Sequence, residues 1–338
     1  MIYIVCDFCD ESNENLLSCD HFPKSSMEKV MKNIKEINYE CTYFGGINKL
    51  AEAYSNNFLF SESDLFFNMS DGLYQNSRRM QAPVLLDLLG VKYTGSSPFA
   101  VGLMNNKHFS KIAAEKSGIK IPKGTLIHSL LISEIPEYLE KALPNITFPL
   151  IVKPNGEGSS IDIDNNSIVY SYEEAMNQIN KLKNKYDDII IEQFIPGTDA
   201  STLVIGNFNN FKLVETLIYK TNDQFVLKNS VRDTYIKENW VSKGYLIDNL
   251  LEYKNLSYKF KQISKNLFKY IGCSDIARID YRISETGEIY FLEINSMPTI
   301  TPTSDVGMIC TCLNKPYTDF LKEYIDSAFS KYSIINHG

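Results

Sequence analysis

Hydrophobic periodicity divides the first hundred residues into short buried strands and amphipathic helices. Residues 2–5 and 64–68 are apolar runs that predict buried strands. Between them, Ser25 and Glu28 stand at the spacing of a capping box in front of an apolar stripe of helical period. Strands that alternate with helices favour a parallel sheet. We therefore predict a parallel α/β domain over residues 1–100.

A second domain is predicted after residue 100. Ser97 followed by Pro98 is a helix-start pair, which places a domain boundary near residue 100. Strands are predicted at residues 148–152 and 188–194, with a helix between them. The simplest account is a small α+β unit over residues 101–194.

The remaining chain predicts a third domain, again α+β, over residues 195–338. Residues 201–214 are typical of strands, and an amphipathic helix ends at Gly272. Residues 276–295 then predict a β-hairpin with a polar turn that contains Gly287.

Composition and charge narrow the class of protein. The 338 residues are 44% hydrophobic and 22% charged, as in ordinary globular proteins, and the net charge is -7. A net negative chain argues against a broad nucleic-acid surface, because phosphate binding requires clustered lysine and arginine. No apolar stretch reaches the length of a membrane span, and the N-terminal run lacks a basic flank, so we expect a cytoplasmic protein without nucleic-acid or membrane partners.

The seven cysteines predict a reducing compartment rather than a disulfide framework, since the number is odd and the chain is large. Cys6 and Cys9 form one close pair, and Cys310 and Cys312 form another. Together they could make a four-thiolate zinc site. The alternative is that Cys6 merely ends a buried strand and that the pairs never meet.

The predicted hairpin carries the most informative polar residues. Side chains alternate faces along a strand, so Arg278 and Asp280 share a face, as do Glu293 and Asn295. If both strands turn that face inward, two carboxylates and an amide oxygen converge beside a guanidinium. Such a set of hard oxygen ligands suits Mg²⁺. The alternative is a solvent-facing hairpin held by salt bridges.

A second polar segment follows the strand at residues 148–152. Lys153 leads into a loop with Gly156, Gly158, Ser159 and Ser160, whose backbone N–H groups and hydroxyls could surround phosphate oxygens. The loop is not a Walker A motif, and no strand-linked GxGxxG is present, which disfavours P-loop kinases and Rossmann dehydrogenases. An ordinary Gly-rich turn is the alternative.

A third segment, IIIEQFIPGTD at residues 189–199, predicts an apolar strand that runs into a Pro-Gly turn. Its apolar side chains could enclose a purine, and its acidic groups could accept from ribose hydroxyls. A core strand followed by a turn is the alternative. Hydrolases are disfavoured, because the chain has no GxSxG and its four histidines show no catalytic spacing.

Taken in order, these segments resemble D-alanine–D-alanine ligases and other ATP-grasp enzymes. The resemblance covers residues 68–306 and is most specific in the last segment, where the family pattern R-x-D followed by L-E-x-N-x-x-P is present. It implies a three-domain ATP-grasp fold whose first domain is the parallel α/β (pre-ATP-grasp) unit. It also implies an ADP-forming carboxylate–amine ligase that makes a peptide bond between small amino acids through an acyl phosphate.

By motif, the resemblance implies ten residues that contact ATP, through its phosphates, adenine or ribose. They are Lys107, Lys153, Ser159, Ser160, Glu192, Gln193, Phe194, Ile195, Asp199 and Leu292. Ser159 and Ser160 would belong to a loop that closes over the transferred phosphoryl group, which makes Ser159 a catalytic candidate.

The resemblance also implies the metal and substrate contacts. Asp280, Glu293 and Asn295 would hold two Mg²⁺ ions, with Mn²⁺ as a substitute, and Arg278 would bind substrate and stabilise charge in the reaction. Ser304 would hold the carboxylate of the acceptor, although Thr303 is close enough to compete for that role. The family further suggests a homodimer formed through the first domain.

The chain departs from the family on the amino-acid side. The usual first-strand loop is replaced by CDFCDESNEN, in which Asp7, Asp10 or Glu11 could substitute for the family's glutamate. Arg78 or Arg79 either meets a substrate carboxylate or lies solvated at the surface, and the second interpretation is preferred.

A loop that carries a Lys-Tyr pair in the family aligns poorly with this chain, which leaves Lys228 and Arg232 as candidates for its phosphate contact.

Three alternatives to a D-alanine–D-alanine ligase remain: a ligase for other amino acids or a peptide, a non-catalytic ATP-binding protein of the same fold, and a zinc-thiolate protein.

Overall fold

The computed structural model describes residues 1–8, 22–73, 77–128, 147–158, 160–220, 224–227, 230–231 and 243–335. Within these residues the chain forms three β-sheets flanked by helices. No helix in the described ranges is long and apolar enough to cross a membrane.

The first sheet is parallel and has helices on both faces. Its strand order is β2-β1-β3. The elements are β1 (Ile2–Val5), α1 (Lys24–Glu36), β2 (Cys41–Gly45), α2 (Ile47–Ser55), β3 (Leu65–Asn68) and α3 (Gln81–Leu88). Val30 and Ile34 of α1 pack on one face with Ile4, whereas Leu50 of α2 packs on the other face with Phe66. This arrangement confirms the predicted parallel α/β first domain.

Two helices follow the first sheet, α4 (Pro98–Asn105) and α5 (Lys107–Lys116). Ser97 caps α4, since its hydroxyl accepts from the N–H of Ala100, as the Ser-Pro pair predicted. The predicted capping box at Ser25 is wrong: α1 begins at Lys24 behind Pro23, with no side-chain cap. The ring of Pro23 fixes its φ angle directly in front of the helix, and Ser25 lies inside the helix.

The second sheet is antiparallel with strand order β4-β7-β5-β6, and a helix packs on it. Its elements are β4 (Gly124–His128), β5 (Leu150–Pro154), β6 (Ile168–Val169), α6 (Tyr172–Leu182) and β7 (Asp188–Gln193). Ile179 of α6 packs against Val152 and Ile191 of the sheet.

The third sheet is the largest, with order β11-β9-β8-β12-β13 and β10 paired to β8. Its strands are β8 (Gly197–Asn207), β9 (Asn210–Lys220), β10 (Val226–Leu227), β11 (Lys243–Leu246), β12 (Asp275–Ser284) and β13 (Ile289–Asn295). The helices are α7 (Ser257–Ile271), α8 (Asp305–Cys312) and α9 (Tyr317–Ile335). Gly272 ends α7 in the left-handed conformation with φ 78°, as predicted.

Helices α4, α5 and α7 pack on one face of the third sheet, and α8 and α9 pack on the other. Residues of α9 belong to an apolar cluster that also contains residues of the first and third sheets, so α9 connects these two sheets. One parallel and two antiparallel sheets follow one another along the chain, in agreement with the predicted three-domain architecture, whereas the boundaries at residues 100 and 194 stay predictions.

A buried ion pair anchors α9. The Lys331 ammonium donates to the carbonyls of Tyr93 and Gly95 at 3.0 and 2.7 Å and to Asp275 Oδ2 at 2.9 Å. Because Asp275 is fully buried, loss of this ammonium leaves a buried carboxylate without its counter-charge. We expect Lys331→Met to lower the free energy of unfolding by about 2 kcal/mol, measured by urea denaturation.

The matched control is Lys322→Met, an exposed lysine of the same helix, which should change stability by less than about 0.5 kcal/mol. Equal effects of the two substitutions would contradict the anchoring role of Lys331.

The cysteine pairs give no support to a zinc site. Cys6 and Cys310 are buried in the same apolar cluster, Cys312 is exposed, and Cys9 lies outside the described residues. Across the described ranges, no group of three or more His, Cys, Asp or Glu side chains is arranged to hold a metal ion.

Candidate active site

A cavity of about 800 Å³ lies between the second and third sheets and the first domain. The predicted site residues that line it are Lys153, Ser160, Glu192, Gln193, Phe194, Ile195, Asp199, Arg278, Asp280, Leu292, Glu293, Asn295 and Ser304. Ser159 lies outside the described residues. The fold thus gathers segments that are far apart in sequence around one concave space.

The hairpin β12–β13 presents its polar face to this cavity. The register places Arg278 opposite Asn295 and Asp280 opposite Glu293. Arg278 Nε and Nη2 donate to the two oxygens of Asp280 at 2.9 and 2.8 Å, and Nη1 lies 3.4 Å from Asp305 Oδ2. The hairpin does carry a salt bridge, but it faces the cavity, so the solvent-facing alternative is wrong.

Lys107 approaches this hairpin from the start of α5. Its ammonium lies 3.1 Å from Glu293 Oε2 and also donates to the carbonyl of Glu157. Burial raises the pKa of Glu293, but the nearby Lys107, Lys153 and Arg278 outweigh it and lower this pKa to about 2. Glu293 is therefore an anion at neutral pH.

The residues fit a magnesium site in their chemistry. Asp280 and Glu293 supply carboxylates and Asn295 supplies an amide oxygen, all on the cavity wall. Two carboxylates and one amide leave room for water and phosphate oxygens, as Mg²⁺ prefers. The surrounding cations Lys107, Lys153 and Arg278 lower the pKa of Glu293, which keeps this carboxylate ionised.

Glu192 lies at the bottom of the cavity between two lysines. Its side chain is 1% exposed, with Oε1 2.8 Å from Lys153 Nζ and Oε2 3.2 Å from Lys111 Nζ. Burial raises the pKa of Glu192, and the two ammonium groups reverse that shift and lower it. The carboxylate thus orients two cations. Its predicted contact with the nucleotide stays a prediction.

Lys111 was missed by the sequence reasoning. It also donates to the carbonyl of Leu292 at 2.7 Å, and burial lowers its pKa to about 8. Its position one helical turn after Lys107 was the available signal, because residues four apart share a helix face.

The predicted adenine segment leaves the end of β7 and meets Arg282, a second missed residue. The Arg282 guanidinium donates to the Ile195 carbonyl at 2.9 Å and to Asp199 Oδ1 at 2.5 Å, and lies 5.3 Å from the centroid of the Phe194 ring. Strand alternation from Arg278 and Asp280 could have identified it. Asp199, predicted to bind ribose, is therefore paired with a guanidinium.

Ser304 stands in front of α8 at the other end of the cavity. Its hydroxyl donates to the Thr301 carbonyl at 2.7 Å, and Thr303 also lines the cavity. The geometry leaves both open as contacts of a substrate carboxylate.

On the amino-acid side of the cavity, the structure corrects the predicted exposure of two arginines. Arg78 and Arg79 are 1% and 8% exposed, so their placement at a solvated surface is wrong. Asp7 accepts from the Ile47 N–H at 3.0 Å and from the Ser70 hydroxyl, which ties it to the start of α2. Asp10, Glu11, Lys228 and Arg232 lie outside the described residues.

Comparisons with known proteins identify the family to which the chain is similar. Residues 114–326 match the family model described as D-ala D-ala ligase C-terminus. A D-alanine–D-alanine ligase of Aquifex aeolicus is 30% identical over 245 residues, 72% of this chain and 76% of the relative. One from Thermotoga maritima is 27% identical over 314 residues, 91% of this chain and 93% of the relative.

Among solved structures, the VanG D-Ala:D-Ser ligase of Enterococcus faecalis superposes with a TM-score of 0.73 at 18% identity. The match covers 97% of this chain and 98% of that one. This likeness supports the fold alone. With the family model matching well over half of the chain, the protein belongs to the D-alanine–D-alanine ligase family, whose members are ADP-forming ATP-grasp ligases that make carbon–nitrogen bonds.

Proposed function

We propose that this protein uses ATP and two Mg²⁺ ions to join two small amino acids, with D-alanine as the first candidate for both. The observation that carries the proposal is the convergence of Arg278, Asp280, Glu293 and Asn295 on one cavity wall. The relatives in Aquifex and Thermotoga are named D-alanine–D-alanine ligases, which is why D-alanine is the first candidate. As an ATP-dependent enzyme it would act in the cytoplasm, as a homodimer formed through the first domain.

The ten nucleotide-contacting residues predicted from the sequence keep those roles in this proposal. Lys107 and Lys153 would contact the phosphates, the segment from Gln193 to Ile195 would hold adenine, and Asp199 would bind ribose. The cavity supports this arrangement, because Lys153 and Asp199 lie on its wall with the apolar groups of Phe194 and Ile195.

Asp280, Glu293 and Asn295 would hold the metal, for which Mn²⁺ can substitute. When bound, magnesium neutralises the charge of the phosphates and of the leaving group. The Arg278 guanidinium contributes a fixed positive charge where negative charge develops on the acyl phosphate and on the tetrahedral species.

The reaction proceeds in two displacements. A carboxylate oxygen of the donor attacks the γ-phosphorus, and ADP leaves with the electron pair of the broken P–O bond. The acceptor amine then attacks the acyl carbon, and phosphate leaves with the electron pair of the broken C–O bond and with the proton lost from the amine. Ser304, with Thr303 as the alternative, would hold the carboxylate of the acceptor during the second step.

The alternative is a ligase for other amino acids or for a small peptide, within a biosynthetic pathway. The observation that favours it is the pair of buried guanidiniums at Arg78 and Arg79 on the amino-acid side. A non-catalytic ATP-binding protein is disfavoured, because the residues of the proposed metal site are all present.

The test is phosphate release from ATP across a matrix of D- and L-amino acids and dipeptides, with mass spectrometry of the products. We expect release with particular pairs, a product of condensed mass, and loss of release when EDTA removes the metal. Mg²⁺ or Mn²⁺ should restore it. An absence of release with every pair, despite ATP binding, would contradict the ligase proposal.

A further inference from the structure

Two adjacent arginines lie beneath the Gly-rich loop. Arg78 and Arg79 form a short 3-10 turn with Met80 in front of α3, and both side chains are buried. Burying two guanidiniums is unfavourable unless each is paired and hydrogen-bonded. Their contacts therefore indicate what each one does.

Arg78 holds the loop itself. Its Nη2 lies 3.3 Å from Glu157 Oε2, and the Lys107 ammonium donates to the carbonyl of the same residue. Glu157 is thus held by a cation from the first domain and by one from α5. This makes Arg78 a positioning residue, since it reaches the loop rather than the cavity.

Arg79 instead faces the cavity. Its Nε donates to Asp71 Oδ1 at 3.0 Å and its Nη1 to Asn105 Oδ1 at 3.2 Å. Both Arg79 and Asp71 line the large cavity even though each is less than a tenth exposed. The aspartate and the asparagine orient the guanidinium towards that space.

Arg79 also lies close to the proposed place of phosphoryl transfer. A Cβ atom added to Gly158 would lie 2.8 Å from Arg79 Nη2, so the loop backbone passes close to the guanidinium. On the other side, Arg79 shares a small cavity with Ser296 and Met297, which directly follow the proposed metal ligand Asn295. Its partner Asn105 precedes Lys107 by two residues.

Arg79 is therefore placed between the phosphate loop and the end of the metal-binding hairpin, on the side of the first domain. A carboxylate that attacks the γ-phosphorus must enter between these groups. A guanidinium matches a carboxylate in geometry, because its planar N–H groups donate two parallel hydrogen bonds.

We propose that Arg79 binds the reacting carboxylate of the donor amino acid, with Asp71 orienting its guanidinium and Arg78 positioning the loop above. The inference rests on the proposed function. Arg79 stays protonated throughout: the donor's carboxylate oxygen forms the new bond to the γ-phosphorus, and the electron pair of the broken bond leaves with ADP.

The test compares Arg79→Gln and Arg79→Lys with the native chain, after the substrate matrix has identified a donor. We expect Arg79→Gln to raise the KM of the donor about 10- to 100-fold, the effect of losing a charge-assisted hydrogen-bonded pair. Arg79→Lys should recover part of this loss, since it keeps a charge beside Asp71. Affinity for the ATP analogue AMP-PNP with Mg²⁺ should change less than about threefold, because the proposed contact is with the donor.

Lys92→Gln is the control, because Lys92 is a half-buried lysine of the first domain whose ammonium donates to the Glu62 carbonyl. It should leave both constants unchanged. Melting temperatures identify a variant that fails to fold, and Arg79→Lys then carries the test, because it retains the charge that Asp71 requires.

The outcomes separate the two proposals. If the native enzyme is active and Arg79→Gln, or Arg79→Lys where the glutamine variant does not fold, leaves the KM of the donor unchanged, the inference about Arg79 is wrong and the ligase function stands. Loss of AMP-PNP affinity of the same size as the change in donor KM would assign Arg79 to the nucleotide and would also overturn the inference. If the native chain releases no phosphate with any pair, and no amino acid shifts the melting temperature of its AMP-PNP complex, both proposals fail.

Discussion

Replacing Glu293 by alanine is expected to lower phosphate release by about 10²- to 10³-fold, the usual effect of removing one preorganised electrostatic group from an active site. Glu293 is an anion at neutral pH and lies 3.1 Å from Lys107 Nζ on the cavity wall. Its removal would take away one proposed metal ligand and the partner of a lysine. The measurement is steady-state phosphate release at saturating ATP, with the Mg²⁺ concentration varied.

The matched control is Glu288→Gln on the same hairpin. Glu288 is 41% exposed and pairs with Lys120 at the surface, so its loss should change turnover less than about twofold. Turnover of Glu293→Ala within threefold of the native rate would contradict the placement of Glu293 in the metal site.

Replacing Glu192 by glutamine is expected to lower the free energy of unfolding by about 3–5 kcal/mol, the cost of breaking a buried ion pair. The substitution leaves the ammonium groups of Lys111 and Lys153 buried without their carboxylate. Equilibrium urea denaturation at pH 7 measures the loss. The control is Glu52→Gln, which breaks an exposed pair with Lys49 and should cost less than about 1 kcal/mol.

The deficit of Glu192→Gln should shrink as the pH rises towards about 8 and stay constant above it. Burial lowers the pKa of Lys111 to about 8 in the native chain, and without Glu192 this pKa falls further. Between these two folded pKa values the folded variant has lost a proton that its unfolded chain still binds, so the variant gains stability as the pH rises, whereas the native chain does not. A deficit that is constant from pH 6 to pH 8 would contradict the assignment of the loss to buried ammonium groups.

The site could be predicted in part because strand alternation is a local property. Arg278 and Asp280 had to share a face of β12, and Glu293 and Asn295 a face of β13, whatever the rest of the chain did. The same rule applied to Arg282, which was overlooked. The spacing of Lys107 and Lys111, four residues apart on a predicted helix, likewise indicates that they share a helix face.

The sequence by itself determined the alternation of helices and strands, the parallel first domain, the α+β character of the later domains and the family. The helices and strands follow from periodicity and capping residues, which depend on a few neighbouring residues. The family follows from the motifs and their order along the chain. The capping box predicted at Ser25 is nevertheless wrong, because α1 begins at Lys24, directly after Pro23.

Only the tertiary structure decided which charges are buried and which pairs they form. The sequence predicted that Arg78 and Arg79 are solvated, yet both are buried in the fold, and Arg78 pairs with Glu157 of the Gly-rich loop. Glu192 and Asp199 stay predicted ligand contacts, and the structure adds that Glu192 pairs with lysines and Asp199 with Arg282. Ion pairing joins residues that are distant in sequence, and its strength depends on burial, so neither the partner nor the energy is encoded in a local pattern.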